Sequence, residues 1–190
     1  LKSEGINLAV ALELPMVIVN VQRGGPSTGL PTKTEQSDLL QAMFGRNGES
    51  PVAVLSPRSP SDCFHIALDA VRMAVRAMTP VLILSDGFLA NSSEPWQIPD
   101  ADDIDDIPVT HPAGLKPGSD VFFPYERDPE TLGRPWAIPG TPDLEHRIGG
   151  LSKAPITGNV SYDPRHHEQM VTDRAEKIAR LADILPEQDV

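Results

Sequence analysis

The chain has 190 residues, 39% of them hydrophobic, and 27 acidic against 16 basic side chains for a formal charge of −11. That is enough apolar material for one ordinary domain with an appendage, and its acidity does nothing to offset the approach to nucleic-acid phosphates or an anionic membrane. The longest apolar runs, around Met16–Val21 and Val81–Leu84, fall far short of the ~20 residues of a membrane span, and a single cysteine, Cys63, excludes an internal disulfide, a four-thiolate zinc site and an iron–sulfur cluster ligated by this chain alone.

Residues 1–13 open without an initiating methionine or a cap, and Ile6, Leu8, Ala9 and Leu12 have the spacing of a helix already under way, so the chain is expected to begin in mid-fold. Nothing there has the form of a signal peptide, which makes the cytoplasm the expected location and leaves the Asn91 and Asn159 sequons without meaning. Leu14-Pro15 ends the helix. The β-branched run Met16–Val21 then predicts a strand buried on both faces, and with it a parallel sheet. Residues 22–32, Gln-Arg-Gly-Gly-Pro-Ser-Thr-Gly-Leu-Pro-Thr, hold too much glycine and proline for helix or strand and form a loop at the strand's C-terminal end.

Helix is expected over Glu35–Phe44, capped by Thr34 and stopped by Gly45, followed by a short strand at Pro51–Leu55. Ser59-Pro60-Ser61-Asp62 has the pattern of a capping box with proline at the first helical position, the Asp62 carboxylate reaching back to the Ser59 amide. The helix that follows keeps Asp62, His65, Asp69, Arg72 and Arg76 on a polar seam. It leaves Cys63, Phe64, Ile66, Ala67, Ala70, Val71, Ala74 and Val75 to pack, which covers most of its girth. Thr79–Asp86 is a third buried strand. Helices and strands that alternate in this way give an α/β sandwich on a parallel sheet. Ligands of such sheets bind beyond the carboxyl ends of the strands, here the Arg23–Thr32 loop, the Ser56–Ser59 turn and Asp86-Gly87.

The second half differs in kind. Seven of the 20 prolines precede residue 91 and thirteen follow it, so a boundary falls near residue 90 and no continuous helical or sheet layer is expected between Glu94 and Asn159. Asp100–Asp106 holds five aspartates in seven residues, spaced unlike a calcium loop, and is expected to be a solvated run. Asp163-Pro164 starts a last helix, whose Val171, Ala175, Ile178, Ala182 and Leu185 form a stripe for which the sequence identifies no partner.

The loop after the first strand is the best candidate for chemistry. Gly24, Gly25 and Gly29 free the backbone, Ser27, Thr28 and Thr32 supply hydroxyls, and Arg23 supplies a planar fork that matches a carboxylate. Neither phosphate fingerprint fits, because Leu30-Pro31 stands where a P-loop needs Lys-Ser or Lys-Thr. On composition alone, an ordinary crossover loop competes with an anion site. His65, His111 and His166-His167 lack metal-ligand spacing, His146 either positions a substrate or caps a turn, and Cys63 sits inside a helix among apolar neighbours that keep it inert. No Gly-x-Ser-x-Gly elbow is present.

Residues 14–38, and above all the string Gln22–Thr32, resemble the alpha subunit of thiamine-diphosphate-dependent 2-oxoacid:ferredoxin oxidoreductases, most closely the 2-oxoglutarate branch. The similarity continues through Ser56–Pro60, Leu84–Gly87, Trp136–His146 and Asp163-Pro164 to the final helix. It implies a partial α/β domain of the pyrimidine-binding type over residues 1–93, a Pro-rich irregular extension over 94–162, and a helix over 163–190 leading to a domain that follows. It implies oxidative decarboxylation of 2-oxoglutarate, with coenzyme A taking the acyl group and ferredoxin the electrons. Arg23 and Thr32, with Ser27 and Thr28 beside them, would hold the 2-oxoacid, and Gly24, Gly25 and Gly29 would lie next to the cofactor. Thiamine diphosphate, its Mg and a 4Fe-4S cluster would be held mainly by a partner beta subunit. The Tyr-Pro-Ile-Thr-Pro-Ser segment and the cofactor-activating glutamate would precede Leu1, so no catalytic residue or metal ligand is expected in this chain, which alone is expected to be an inactive internal fragment. A pyruvate or branched-chain 2-oxoacid enzyme, or a noncatalytic subunit-interaction module, is the alternative.

Overall fold

Three apolar segments pair in parallel: β1 (Met16–Gln22), β2 (Ala53–Leu55) and β3 (Pro80–Asp86), in the order β1-β3-β2. Met16 lies opposite Pro80 and Gln22 opposite Asp86, while Ala53 to Leu55 run beside Val81 to Ile83. This is a computed structural model, and it describes residues 2–27 and 29–185. Around the sheet stand α1 (Ser3–Leu12), α2 (Leu39–Phe44), α3 (Asp62–Ala77), α4 (Gly87–Asn91) and α5 (Pro164–Leu181). The α/β architecture expected from the alternating pattern is the one observed.

The core explains the order of the strands. Val81 and Ile83 of β3 pack with Ala53, with Ala70, Met73, Ala74 and Ala77 of α3, and with Leu181 of α5. Every residue of β3 is buried. β1 is different: Met16, Val19 and Val21 are 40%, 59% and 48% exposed, which corrects the expectation of burial on both faces. β1 has a neighbour on one side only among the described residues, and an apolar run alone does not separate a central strand from an edge strand.

Three helices also depart from expectation. Residues 35–38 are not helical, and α2 starts at Leu39 after Asp38, not after Thr34. The reason lies in side-chain bonds that pin this stretch to the strand ends: Asn20 Nδ2 donates to Asp38 at 2.8 Å, the Asp38 amide to Gln22 at 3.0 Å, and Gln36 Nε2 to Asp86 at 2.5 Å. On α3, Ala67 and Val71 face outward, whereas Met73 and Ala77 are buried. On α5 the buried positions are Met170, Lys177 and Leu181, and Ala175 and Ala182 are exposed. Its partner lies within the chain, since Ile178 and Leu185 pack against the cluster that includes α3.

The capping box expected at the start of α3 is only half formed, and Pro60 is not the first helical residue, because α3 begins at Asp62 after Ser61. The Asp62 amide donates to Ser59 Oγ at 3.4 Å, but the Asp62 carboxylate accepts from the Arg58 amide at 2.9 Å and not from Ser59. α4 went unforeseen in the sequence; Asp86 caps it by accepting from the Phe88 and Leu89 amides at 2.7 and 3.0 Å.

Between residues 94 and 162 regular structure is sparse: a 3₁₀ turn at Ala101–Asp103 and isolated bridges at Tyr125–Ile156 and Lys153–Val160. This half is nevertheless tied to the first by cations at the C-terminal end of α1, where carbonyls lack helical partners and the dipole is negative. Arg134 Nε donates to the Leu12 and Glu13 carbonyls at 3.2 and 3.0 Å, and Lys153 Nζ to Ala11 at 3.0 Å. The buried Tyr125 ring sits among Arg127, Arg134 and Lys153, 5.1 to 5.8 Å from its centroid.

One buried network follows from that junction. Glu13 accepts two hydrogen bonds from Arg127, one of them at 2.6 Å, and one from Lys177 at 2.5 Å, and Arg127 Nε reaches Asp173 at 3.0 Å. Burial pushes the Glu13 carboxyl up, but Lys177 and Arg127 outweigh it and bring the pKa down to about 2. At Lys177 burial wins over the pull of Glu13 and lowers the ammonium's pKa.

Candidate functional site

All three strands run parallel, so Gln22, Leu55 and Asp86 deliver their following segments to one edge of the sheet. The Arg23–Thr34 loop leaves β1 there and folds on itself in two turns, closed by the Gly29 amide on Pro26 at 3.0 Å and the Lys33 amide on Leu30 at 3.4 Å. The Gly25-Pro26 bond is cis. The glycines divide the work. A Cβ on Gly29, whose φ is +56°, would lie 1.5 Å from the Gly24 carbonyl oxygen, and one on Gly24 would press on Leu30 at 3.3 Å. Those two glycines let the loop close. Gly25 is exposed with open space around it, and its amide donates to Glu35 at 3.1 Å.

Arg23 is exposed and makes neither hydrogen bond nor ion pair with any described residue. Ser27 and Thr32, at φ +58° and +57°, are exposed on the same loop, and the Thr32 hydroxyl donates to the Pro31 carbonyl at 2.7 Å. Thr28 lies outside the described residues. The loop is carried on a relay of side chains below it: Gln22 Nε2 donates to the Ser85 carbonyl at 3.2 Å, Gln22 Oε1 accepts from Asp38, and Gln36 donates to Asp86. The bond from Gln36 is the main reason that Asp86 titrates below the usual aspartate range.

Carboxylates take up amides at, or just ahead of, two of the helix N-termini at this edge. Asp86 caps α4; the Ser61 amide ahead of α3 donates to Glu94 at 2.6 Å and the Arg58 amide to Asp62. A diphosphate seeks bare amides at such an end, and these residues do not fit one. They do fit the carboxylate end of a small acid, which a guanidinium on an exposed loop can grip bidentately.

The other candidates are placed as follows. His65 is exposed beside Phe64, with ring centroids 5.4 Å apart. His111 Nδ1 donates to the Trp136 carbonyl and His146 Nδ1 to the Leu144 carbonyl, both at 2.7 Å, so His146 caps a turn. His166 pairs with Ser161 Oγ at 2.8 Å and His167 is exposed. Among the described residues no three His, Cys, Asp or Glu side chains gather as a metal would need. Cys63 is half-buried, and burial, then Asp62, pushes its thiol up, which leaves little thiolate for attack. The Asp100–Asp106 run is mostly exposed, and Asp100 caps its own 3₁₀ turn. Sequence reasoning missed the Glu13 network. The signal it carried was Lys177, which sits at the helical spacing of Met170 and Leu181 on an otherwise apolar face.

Residues 1–151 match the family described as pyruvate flavodoxin/ferredoxin oxidoreductase, thiamine diP-bdg, that is, thiamine diphosphate-binding. The chain is 62% identical over 178 residues to the 2-oxoglutarate oxidoreductase subunit KorA of Mycobacterium tuberculosis, covering 94% of this chain and 27% of that one. It is 33% identical over 189 residues to the 2-oxoglutarate synthase subunit KorA of Methanothermobacter thermautotrophicus, with 96% of this chain and 47% of the relative covered. The chain therefore spans between about a quarter and a half of the length of these relatives. It superimposes with a TM-score of 0.87 and 38% identity on a 2-oxoglutarate:ferredoxin oxidoreductase from Magnetococcus marinus with 2-oxoglutarate, coenzyme A and succinyl-CoA bound, over 97% of this chain and 31% of the other.

Proposed function

The chain belongs to the pyruvate flavodoxin/ferredoxin oxidoreductase, thiamine diphosphate-binding family, and from that premise we propose that it is part of the alpha subunit of a 2-oxoglutarate:ferredoxin oxidoreductase. The complex converts 2-oxoglutarate and coenzyme A to succinyl-CoA and CO₂, and two electrons pass to ferredoxin. Bound thiamine diphosphate supplies the nucleophile and the electron sink for loss of CO₂. The 2-oxoglutarate assignment is supported by the names of the relatives above and by the ligands of the Magnetococcus structure.

The observation that carries the role of this chain is Arg23, an exposed guanidinium with no described partner on a loop at the carboxyl edge of a parallel sheet. Arg23 pairs with the C1 carboxylate of the 2-oxoacid and so fixes the direction from which the keto carbon is approached. Thr32 gives up its bond to the Pro31 carbonyl and donates to a substrate oxygen, with Ser27 and Thr28 as further donors. Gly24, Gly25 and Gly29 lie beside the pyrimidine half of the cofactor, where the open space around Gly25 admits close approach. The amides that carboxylates already occupy at α3 and α4 support a diphosphate with its Mg being held mainly by a beta subunit; we place the 4Fe-4S cluster on that subunit too, and the complex in the cytoplasm. Among the described residues no helix is long and apolar enough to cross a membrane.

The same reading divides the chain into the sheet-bearing part at 1–93, the Pro-rich extension at 94–162 and a last segment at 163–190 that carries α5, of which 186–190 lie outside the described residues. Its test is Arg23→Ala in the assembled complex. The expected result is a loss in kcat/KM for 2-oxoglutarate of about 10²-fold or more, on the order of 3 kcal/mol. Unchanged kinetics would remove Arg23 from the substrate site.

A further inference from the structure

A cleft of about 470 Å³ lies between α1, the turn that precedes β2 and one face of α5, and it shares no residue with the Arg23 loop. Its walls gather polar groups that have nothing to bond. Asn7 Oδ1, Ser50 Oγ, Ser152 Oγ and Arg174 Nε are all buried, and none has a hydrogen-bond partner among the described residues. Arg174 makes neither hydrogen bond nor close ion pair with a described residue and feels Glu13, Glu49 and Asp173 only at longer range, whereas the largely enclosed Arg127 is bonded several times over. Buried polar atoms are ordinarily satisfied. Four that are not, set in the wall of one cavity from four chain segments, mark a place where a polar occupant would be matched.

The charges around the cleft narrow the class of that occupant. Arg174 stands in its wall, with the Ser50 and Ser152 hydroxyls as donors that suit an anion. Glu4 and Glu49 line the same cleft and are exposed, so an occupant with a second negative charge would meet repulsion. Leu8 and Met170 add apolar wall. We propose that this cleft binds a small zwitterion of the α-amino-acid class. Its carboxylate lies between Arg174, Ser50 and Ser152, its ammonium faces Glu4 and Glu49, and its side chain runs along Leu8 and Met170. The orphan atoms lie in the wall, and they turn toward the ligand as it enters; for a serine hydroxyl that takes one χ1 rotation.

The test is isothermal calorimetry on the full-length subunit with glycine, L-leucine, L-glutamine and L-lysine as probes, and with acetate and inorganic phosphate beside them. At least one amino acid is expected to bind saturably, and both Arg174→Gln and Glu49→Gln are expected to weaken it about tenfold or more. Glu49 is exposed, so its variant keeps the test intact should Arg174→Gln fail to fold. Three outcomes overturn the proposal: no saturation by any amino acid up to ~10 mM, binding that Glu49→Gln leaves unchanged, or acetate or phosphate binding as tightly as the amino acid.

Discussion

Two arginines divide this molecule. Arg127 is largely enclosed, its side chain 11% exposed, with every direction of its guanidinium committed, to Glu13, to Asp173 and to the face of Tyr125, whereas Arg23 stands on an exposed loop and bonds to no described residue. The same side-chain chemistry serves two ends, and the difference is whether the chain supplies the counter-charge. Where it does, the fold is held; where it does not, the charge is left for a ligand.

The comparison breaks most sharply at Glu13. Glu13→Gln leaves Arg127 and Lys177 buried without their carboxylate, and is expected to cost about 3–5 kcal/mol of stability, read from denaturant unfolding. Next comes Arg23→Ala, whose effect of on the order of 3 kcal/mol should fall on kcat/KM while unfolding stays within about 0.5 kcal/mol of the parent. If Arg23→Ala unfolded the protein, the loop would be part of the scaffold and the contrast would fail.

Acid sharpens the same distinction. The Glu13 pKa is lowered in the fold from 4.5 to about 2, so its contribution is complete above the unfolded value and is lost as the pH falls from about 4.5 toward 2. Integrated over that window it amounts to about 3 kcal/mol. Equilibrium unfolding from pH 6 to 2.5 should show this decline, and Glu13→Gln should flatten it. The smallest expected effect is at Asp86, which caps α4 and holds Gln36 beneath the loop. Asp86→Ala should cost about 1 kcal/mol of stability, with a loss in kcat/KM that exposes any looseness it gives to Arg23.

Much of this was legible in the residues. β3 reads as a buried strand because four consecutive apolar residues follow Thr79-Pro80, and all of them are buried. The Arg23 loop stands out because its glycine and proline content forbids regular structure. β1 misled, since its apolar run describes composition and not the number of neighbours. The start of α2 was masked because Asn20, Gln22 and Asp86 compete for residues 36–38 from positions far away in sequence. The Glu13 network lay beyond any local pattern, for its members meet only after the irregular half has been laid over α1.

That last feature bears on how the chain is made. The partners of Glu13 follow it by 114 and 164 residues, and a ribosome adding ~5–20 residues per second needs on the order of ten seconds or more to reach them. Throughout that interval the nascent helix and sheet carry a carboxylate that must stay hydrated or take up a proton, so α1 settles on the finished sheet only once the segments that carry Arg127 and Lys177 have been translated.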